Sequence, residues 1–192
     1  DSPARTLADL KGQKIGVAGG PLDKSWMLLR AYSQQEYGFD LADETEQVFG
    51  APPLIAEVAQ NGEVGGAINF WHFLAKMKVA GMRELISVDT AARSLGLDPE
   101  TPLLGYVVRG DLRREHPEMV AGLAKASRQA KELLASDPAA WDALRPMMNA
   151  ADDAEFEALK AGFLAGTPGQ GPVDEAAAGA MLALMAKIGG EE

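Results

Sequence analysis

The chain has 192 residues, of which 47% are hydrophobic and 24% charged, and its formal net charge is −10. An acidic chain without a dense Lys/Arg cluster is a poor partner for nucleic acid or an anionic membrane surface. Because it contains no cysteine, disulfides, thiolate metal sites and a cysteine nucleophile are excluded. No apolar run reaches the ~20 residues of a membrane span, so we expect a protein that is not membrane-embedded. No signal peptide is visible, which predicts a chain that is either cytosolic or already trimmed.

Strand-like and helical patterns alternate through the first half of the chain. The predicted strands are 13–18, 45–49, 65–70 and 83–88, and the predicted helices are 21–37, 53–61 and 71–79. Such alternation predicts βαβ units of the α/β class with a mostly parallel sheet, in which the carboxyl ends of the strands share one edge. We therefore expect the loops at 19–25, 50–53 and 69–72 to meet at that edge.

The turn after the first strand has the composition of a ligand-binding loop. Gly19 and Gly20 lack the Cβ atoms that would keep a ligand away from backbone N–H groups. Pro21 begins the helical pattern, and Asp23 falls in its first turn, where the helix dipole favours a negative charge. A strand, a bare turn and an open helix N-terminus predict a site for an anion or a polar head group. The other interpretation is a tight strand-to-helix connection without a ligand.

The second half of the chain has a different pattern. A polar segment at 89–101 precedes an apolar run at 102–109, which predicts one further strand. From residue 111 onward the pattern is helical, with proline or aspartate at several helix starts. The predicted helices are 117–136, one that begins at Pro138, 152–164 and 173–188. Their apolar positions indicate packing against a core.

Aromatic and polar residues at the predicted edge are typical of a small-molecule cleft. Trp26 and Trp71 supply apolar walls, unless both rings pack between helix and sheet. Ser25 and Asn69 supply neutral hydrogen bonds, and Lys24 supplies a point charge. The candidate ligand-binding residues are Gly19, Gly20, Pro21, Asp23, Lys24, Ser25, Trp26, Pro52, Asn69, Phe70, Trp71 and His72.

Residues suited to catalysis are few. His116 lies in a Glu-His-Pro helix junction, where we interpret it as a surface capping residue. His72 follows a predicted strand end, so it either faces the cleft or supports the core, and it alone titrates near neutrality there. The sequence contains no HExxH, no G-x-S-x-G and no His/Asp/Glu set at metal-ligand spacing. Gly16, Gly19 and Gly20 do not have the dinucleotide-binding spacing. We expect no metal, no cofactor and no enzymatic activity.

Three blocks of the sequence resemble those of a known family. Residues 6–17, TLADLKGQKIGV, resemble the S-L-A-D-L-K-G-K-K-I-G-V opening of the second lobe in periplasmic solute-binding proteins of bacterial ABC importers. Residues 62–67 resemble that group's G-E-V-D-A-A approach to a strand. Residues 69–73, NFWHF, stand where the group commonly has L-W-E-P-F, so that His72 and Phe73 replace Glu-Pro. The resemblance extends over about residues 2–135 and is closest to the nitrate/sulfonate/taurine and thiamine-precursor group.

The resemblance implies a type II periplasmic-binding-protein-like fold. Residues 8–88 would then form a βαβ ligand-binding lobe, lobe two. Residues 1–7 and 89–192 would supply the hinge crossings, part of lobe one and C-terminal helices. The N-terminal portion of lobe one would lie outside this chain.

The resemblance also implies a function. The protein would be the substrate-binding component of a bacterial ABC importer, exported to the periplasm, with a membrane permease as its partner. It would hold a small organic ligand in an interlobe cleft by hinge closure. Two alternatives stay open: an enzyme on the same fold, of the thiamine-precursor or menaquinone-pathway kind, and a ligand-sensing module. In the enzyme, catalysis would depend on His72.

Overall fold

A computed structural model describes residues 2–169 and 171–190 of the chain. Two compact units are present, one formed by residues 1–103 together with 170–192 and the other by residues 104–169. The first unit, called here the sheet unit, contains all three strands of the described chain. The second, called here the helical unit, has no strand among its residues. The fold is therefore of the mixed α/β class, as the sequence predicts.

The sheet has three parallel strands in the order β2-β1-β3. They are β1 (Lys14–Ala18), β2 (Glu46–Gly50) and β3 (Gly66–Ile68). In β1, Val17 pairs with Phe49 on one side and with Ile68 on the other. Four of the five β1 residues are buried, which is typical of a central parallel strand covered on both faces. The predicted parallel direction is thus confirmed for these three strands.

Helices of the sheet unit cover both faces of the sheet, as short right-handed crossovers require. The helices of this unit are α1 (Lys24–Tyr37), α2 (Leu41–Glu44), α3 (Pro52–Gln60), α4 (Trp71–Val79), α5 (Val88–Ser94) and α10 (Glu175–Gly189). Asp23 caps the start of α1, and Gly38 ends it in the left-handed conformation, with φ 75°. The predicted start of α1 at Pro21 is wrong by three residues.

The larger core cluster of the sheet unit lies on the α1 face of the sheet. Ile15 and Val17 of β1 pack there with Trp26 and Leu29 of α1, and all four are at most 6% exposed. On the opposite face, a Cβ added to Gly16 would lie 3.1 Å from Cγ2 of Ile55 in α3. The close approach of α3 to β1 therefore favours glycine at this position.

An ion pair joins the middle of α1 to the N-cap residue of α2. The Arg30 guanidinium donates from Nε to Oδ1 of Asp40 at 2.9 Å and from Nη2 to Oδ2 at 2.8 Å. Its Nη1 also donates to the carbonyl oxygen of Ile188 in α10, at 3.3 Å. Arg30 thus ties α1 to two other elements of the same unit.

The predicted strands at 83–88 and 102–109 are wrong. Residues 82–87 have no strand pairing, and Val88 instead begins α5, whose N-cap Ser87 accepts a hydrogen bond from Thr90 N. Residues 104–109 also form no strand, and the side chains of Leu104 and Val107 are 81% and 96% exposed. A strand satisfies its backbone groups by pairing with a neighbouring strand, and neither run is paired with one in the described chain.

The helical unit contains four α-helices in its described residues. They are α6 (Gly110–Glu115), α7 (Pro117–Ser136), α8 (Pro138–Leu144) and α9 (Asp153–Ala165). Trp141, Phe156 and Leu159 are its buried apolar residues, each at most 4% exposed. Trp141 donates from Nε1 to the carbonyl oxygen of Leu134 at 2.7 Å, which links α8 to α7. The helices predicted for this region are confirmed.

Candidate functional site

The carboxyl ends of the three strands lie together, and hydrogen bonds connect the loops that follow them. Gly19 N, after β1, donates to the carbonyl oxygen of Gly50 at the end of β2, at 2.9 Å. Asn69 Nδ2, after β3, donates to the carbonyl oxygen of Pro52 at 2.9 Å. The predicted meeting of the three loops at one edge is confirmed. We call this edge, with residues 19–26, 50–53 and 69–73, the strand-end site.

The β1–α1 turn has its own carboxylate at the helix N-terminus. Asp23 Oδ1 accepts a hydrogen bond from Trp26 N at 3.0 Å, so that this N–H is already satisfied. Gly19 has φ 102°, a conformation that favours glycine, and its N–H is used by Gly50. No atom lies within 4 Å of the position that a Gly20 Cβ would take. The open part of the turn is therefore the backbone around Gly20. The Asp23 carboxylate lies at the N-terminus of α1, where the sequence predicts that an anion binds.

The two tryptophans of the predicted site lie in different environments. Trp26 is 1% exposed and belongs to the core cluster on the α1 face, so it packs between helix and sheet. Trp71 is 47% exposed at the start of α4, and Phe70 before it is 43% exposed. The exposed apolar surface of the strand-end site is therefore provided by Phe70 and Trp71, whereas Trp26 packs in the core below the β1–α1 turn.

Aromatic rings form a group around His72. The ring centroid of His72 lies 4.7 Å from that of Phe73, 5.4 Å from that of Trp71 and 6.3 Å from that of Phe70. Burial in this group lowers the pKa of His72, and the nearby positive charge of Lys76 lowers this pKa further. The imidazole is consequently neutral near pH 7, where it offers one donor and one acceptor nitrogen.

The remaining predicted residues line the same edge with varied exposure. Lys24, Ser25 and Pro52 are half-buried, and Pro21 is exposed. Asn69 uses its amide within the site, because its Oδ1 also accepts from Phe70 N at 2.8 Å. Asn69 thus holds the loops together.

Sequence reasoning missed two apolar side chains beside these loops. Leu22 in the β1–α1 turn is 63% exposed, and Leu54 in the first turn of α3 is 48% exposed. Both follow a proline of a predicted loop by one residue, at positions 22 and 54. An apolar residue directly after a Pro-containing turn is the signal that could have identified them, because polar residues are the rule in solvated turns.

Other kinds of site find no support in the described residues. No group of three or more His, Cys, Asp or Glu side chains there is placed to hold a metal ion. Among the same residues, no helix combines the length and the apolar character needed to cross a membrane.

Comparison with known families adds an assignment that geometry alone cannot make. A family model described as NMT1/THI5 like matches residues 1–141, which include every residue of the strand-end site. None of the curated proteins matches the chain. The three-stranded parallel sheet with its covering helices is consistent with the periplasmic-binding-protein fold of that family. The chain therefore belongs to the NMT1/THI5-like family, whose members generally have a solute-binding fold.

Proposed function

We propose that this protein binds a small organic ligand at the strand-end site and serves as the substrate-binding component of a bacterial ABC importer. The observation that carries the proposal is the convergence of three loops on one edge, held by the Gly19–Gly50 and Asn69–Pro52 hydrogen bonds. Phe70 and Trp71 add apolar surface at that edge. Parallel α/β sheets bind ligands outside the carboxyl ends of their strands.

Each group at the edge has a distinct part in the proposed binding. The open backbone at Gly20 lets a polar atom of the ligand approach closely. Trp71 and Phe70 cover the apolar part of the ligand, and the neutral imidazole of His72 orients it by hydrogen bonding. Lys24 adds a positive charge near the turn. No step in this binding requires a cofactor.

The proposal includes the two-lobe organisation of such importers. Residues 8–88 form the lobe that carries the site, and residues 1–7 and 89–192 supply hinge crossings, the remaining part of the other lobe and the C-terminal helices. Hinge closure on the ligand then presents the loaded protein to a membrane permease, after export to the periplasm. Family membership supports the proposed export, because solute-binding proteins of this family are typically exported.

Thermal unfolding with a panel of small acids, amines and alcohols tests the proposal. A ligand that binds only the folded state raises Tm, and at 100 times its Kd it adds about 2.7 kcal/mol to the free energy of unfolding. We expect Trp71→Ala to weaken binding of the best compound by about tenfold or more, since aromatic anchors dominate binding energies. Tyr106→Ala is the matched control, because Tyr106 is also exposed (70%) but lies in the helical unit. The proposal fails if no compound raises Tm, or if both variants bind equally well.

The enzyme alternative depends on His72. A neutral imidazole in a group of rings is chemically able to act as a general base. His72→Ala separates the two functions: a binding protein loses a modest factor in affinity, whereas an enzyme loses turnover and keeps its affinity. A ligand-sensing module would use the same residues as the binding protein. It is distinguished by the absence of permease-dependent uptake.

A further inference from the structure

The two ends of α4 are held in the sheet unit to different degrees. Its buried residues, Ala75 and Met77, lie beyond the first turn, and Met77 packs in the apolar cluster on the α3 face of the sheet. Phe70 and Trp71 at the start of the helix are exposed. Burial therefore fixes the later part of α4 and gives less support to its first turn, which carries the apolar surface of the strand-end site.

The first turn of α4 also has little stability of its own. Phe70 is the N-cap residue, and its side chain has no group that could accept a hydrogen bond from the first helical N–H groups. The turn itself, residues 71–73, contains no carboxylate that would interact favourably with the helix dipole. A helix start of this kind frays unless a group outside the helix supports it.

The side-chain amide of Asn69 provides this support. Its Oδ1 accepts a hydrogen bond from Phe70 N at 2.8 Å, directly before the first turn of α4. Its Nδ2 donates to the carbonyl oxygen of Pro52, the first residue of α3, at 2.9 Å. The same nitrogen lies 3.9 Å from the sulfur of Met77, in the buried part of α4. One planar group thus contacts the β2–α3 loop, the start of α4 and its anchored part.

The chemistry of these contacts requires an amide at position 69. The carbonyl oxygen of Pro52 needs a donor, and Phe70 N needs an acceptor. An asparagine side chain carries both groups at a fixed separation, whereas an aspartate has acceptors only and an aliphatic side chain has neither. The two hydrogen bonds can therefore be removed separately or together by substitution at this one position.

We propose that Asn69 is a positioning residue of the strand-end site. Its amide fixes the first turn of α4, and with it the surface formed by Phe70, Trp71 and His72, against the β2–α3 loop. Without the amide, the sheet and the buried part of α4 keep their places while the first turn frays. The inference deepens the proposed function and rests on it only for the statement that this surface faces a ligand.

Hydrogen exchange along α4 in the Asn69→Ala variant of the full chain tests the inference. Leu74 N donates to the carbonyl oxygen of Phe70 at 2.9 Å, so its exchange reports opening of the first turn. Ala80 N donates at the other end of the helix, also at 2.9 Å. We expect exchange at Leu74 to become about fivefold faster, as for loss of a helix cap, and exchange at Ala80 to stay unchanged. Equal acceleration at both ends, or none at Leu74, would overturn the inference.

Two further variants separate the contributions of the amide. Asn61→Ala is the matched control, because Asn61 ends α3 and its exposed amide donates to Glu63 at 3.4 Å. It should leave exchange at Leu74 unchanged, and acceleration there would overturn the inference. Asn69→Asp keeps an acceptor for Phe70 N, so Leu74 should exchange more slowly in it than in Asn69→Ala. The reverse order would show that the amide does not cap the helix.

Quenching of tryptophan fluorescence by acrylamide measures the position of the surface itself. Trp26 and Trp141 are buried, so this neutral quencher reaches mainly Trp71. The quenching constant should rise in Asn69→Ala and in Asn69→Asp, since both lose the donor to Pro52, and an unchanged constant in both variants would overturn the inference. Exchange and quenching are measured without ligand. Their failure therefore leaves the panel test of the proposed function standing, and a panel without a ligand leaves their outcome standing.

Discussion

Two apolar runs of similar composition, 14–18 in the sheet unit and 104–108 in the helical unit, have opposite environments. The first is β1, which lies between two parallel strands and has Val17 fully buried. The second has no strand partner in its unit, and Val107 is 96% exposed. The difference shows that β-propensity predicts a strand only where a second strand satisfies its backbone groups.

The helices of the two units differ in the same way. Six residues of α1 are buried, whereas none of the 20 residues of α7 is buried. A helix satisfies its backbone hydrogen bonds within its own segment, so α7 forms from its local sequence. We infer that the sheet unit depends on side-chain burial and that the helical unit depends more on local helix formation.

The largest expected effect comes from truncating a leucine in each unit. Leu28 in α1 is 0% exposed, and Leu104 is 81% exposed. Leu28→Ala should lower the free energy of unfolding by about 2–5 kcal/mol, because a buried leucine leaves a cavity. Leu104→Ala should change it by less than about 0.5 kcal/mol. Urea unfolding of both variants measures the difference.

A comparable decrease in the free energy of unfolding for Leu28→Ala and Leu104→Ala would contradict the proposed difference between the units, because it would mean that Leu104 is buried in solution. The urea midpoints are compared at equal slope. A changed slope would report a change in the surface exposed on unfolding rather than in stability alone.

The next effect concerns one Asp–Arg pair in each unit. Asp40 is paired with Arg30, with side chains 9% and 21% exposed, while Asp111 is paired with Arg109, whose side chain is 83% exposed. Burial raises the pKa of Asp40, but the Arg30 and Ala42 donors outweigh this, and the pKa is lowered overall. Asp40→Asn should cost about 3 kcal/mol, as expected when one partner of a buried pair is removed. Asp111→Asn should cost much less, since solvent screens an exposed pair.

The pH dependence of unfolding tests the direction of the pKa shift of Asp40. A carboxyl group whose pKa is lowered on folding stabilises the protein above its unfolded pKa of about 3.9, and this stabilisation is lost as the pH falls through the folded value. The unmodified protein should therefore lose stability below about pH 4, and Asp40→Asn should reduce that slope. The hydrogen bond from Arg109 also lowers the pKa of Asp111. An equal change of slope in Asp111→Asn would contradict the proposed difference in burial.

Two glycines should respond to alanine with opposite sign. A Cβ on Gly16 in β1 would lie 3.1 Å from Cγ2 of Ile55, which is itself 0% exposed, so Gly16→Ala should destabilise the sheet unit by about 1–3 kcal/mol. Gly122 lies within α7 and has no atom within 4 Å of the added Cβ. Gly122→Ala should stabilise the helical unit by about 0.5–1 kcal/mol, because alanine is the better helix former. Thermal unfolding measures both, and a gain at Gly16 would contradict the tight packing of α3 on β1.

The sequence was sufficient where the physical cause is local. Proline at the start of α7 and Gly38 at the end of α1 act within one turn, so those helix ends could be predicted. The parallel direction of the strands followed from the order of the elements alone. The meeting of the three loops could be predicted for the same reason, because parallel strands place their carboxyl ends together.

The sequence was insufficient where the cause is a distant contact. Nothing in residues 83–88 shows that Arg83 will donate to Ser2 and Ala4 in place of strand pairing. The burial of Trp26 depends on Ile15, Val17 and Leu29, which lie before and after it in the chain. The start of α1 shifted because Asp23, rather than a residue before Pro21, supplies the cap for Trp26 N. These outcomes require coordinates, since composition gives no partner for a side chain.

The prediction with the smallest expected effect concerns the burial of His72. It tests whether this side chain is shielded from solvent, like the core of the sheet unit, or solvated, like the exposed helices of the helical unit. Burial, followed by the charge of Lys76, lowers the pKa of His72, so its NMR titration should have a midpoint below 6.5. Lys76→Gln should move the midpoint upward only in part, because burial is the larger cause. Lys14→Gln, at the opposite end of β1 from the site, should leave it unchanged.

The same titration has a consequence for stability, and its sign follows from the direction of the shift. A histidine whose pKa is lowered on folding binds more protons in the unfolded state, so the free energy of unfolding decreases as the pH falls from the unfolded pKa of about 6.5 toward the folded value. His72→Gln should remove this decrease, because glutamine does not titrate. A midpoint at or above 6.5 would mean that the ring is solvated like a surface residue. The strand-end site would then have to be regarded as an open surface, and the orienting role proposed for His72 would lose its support.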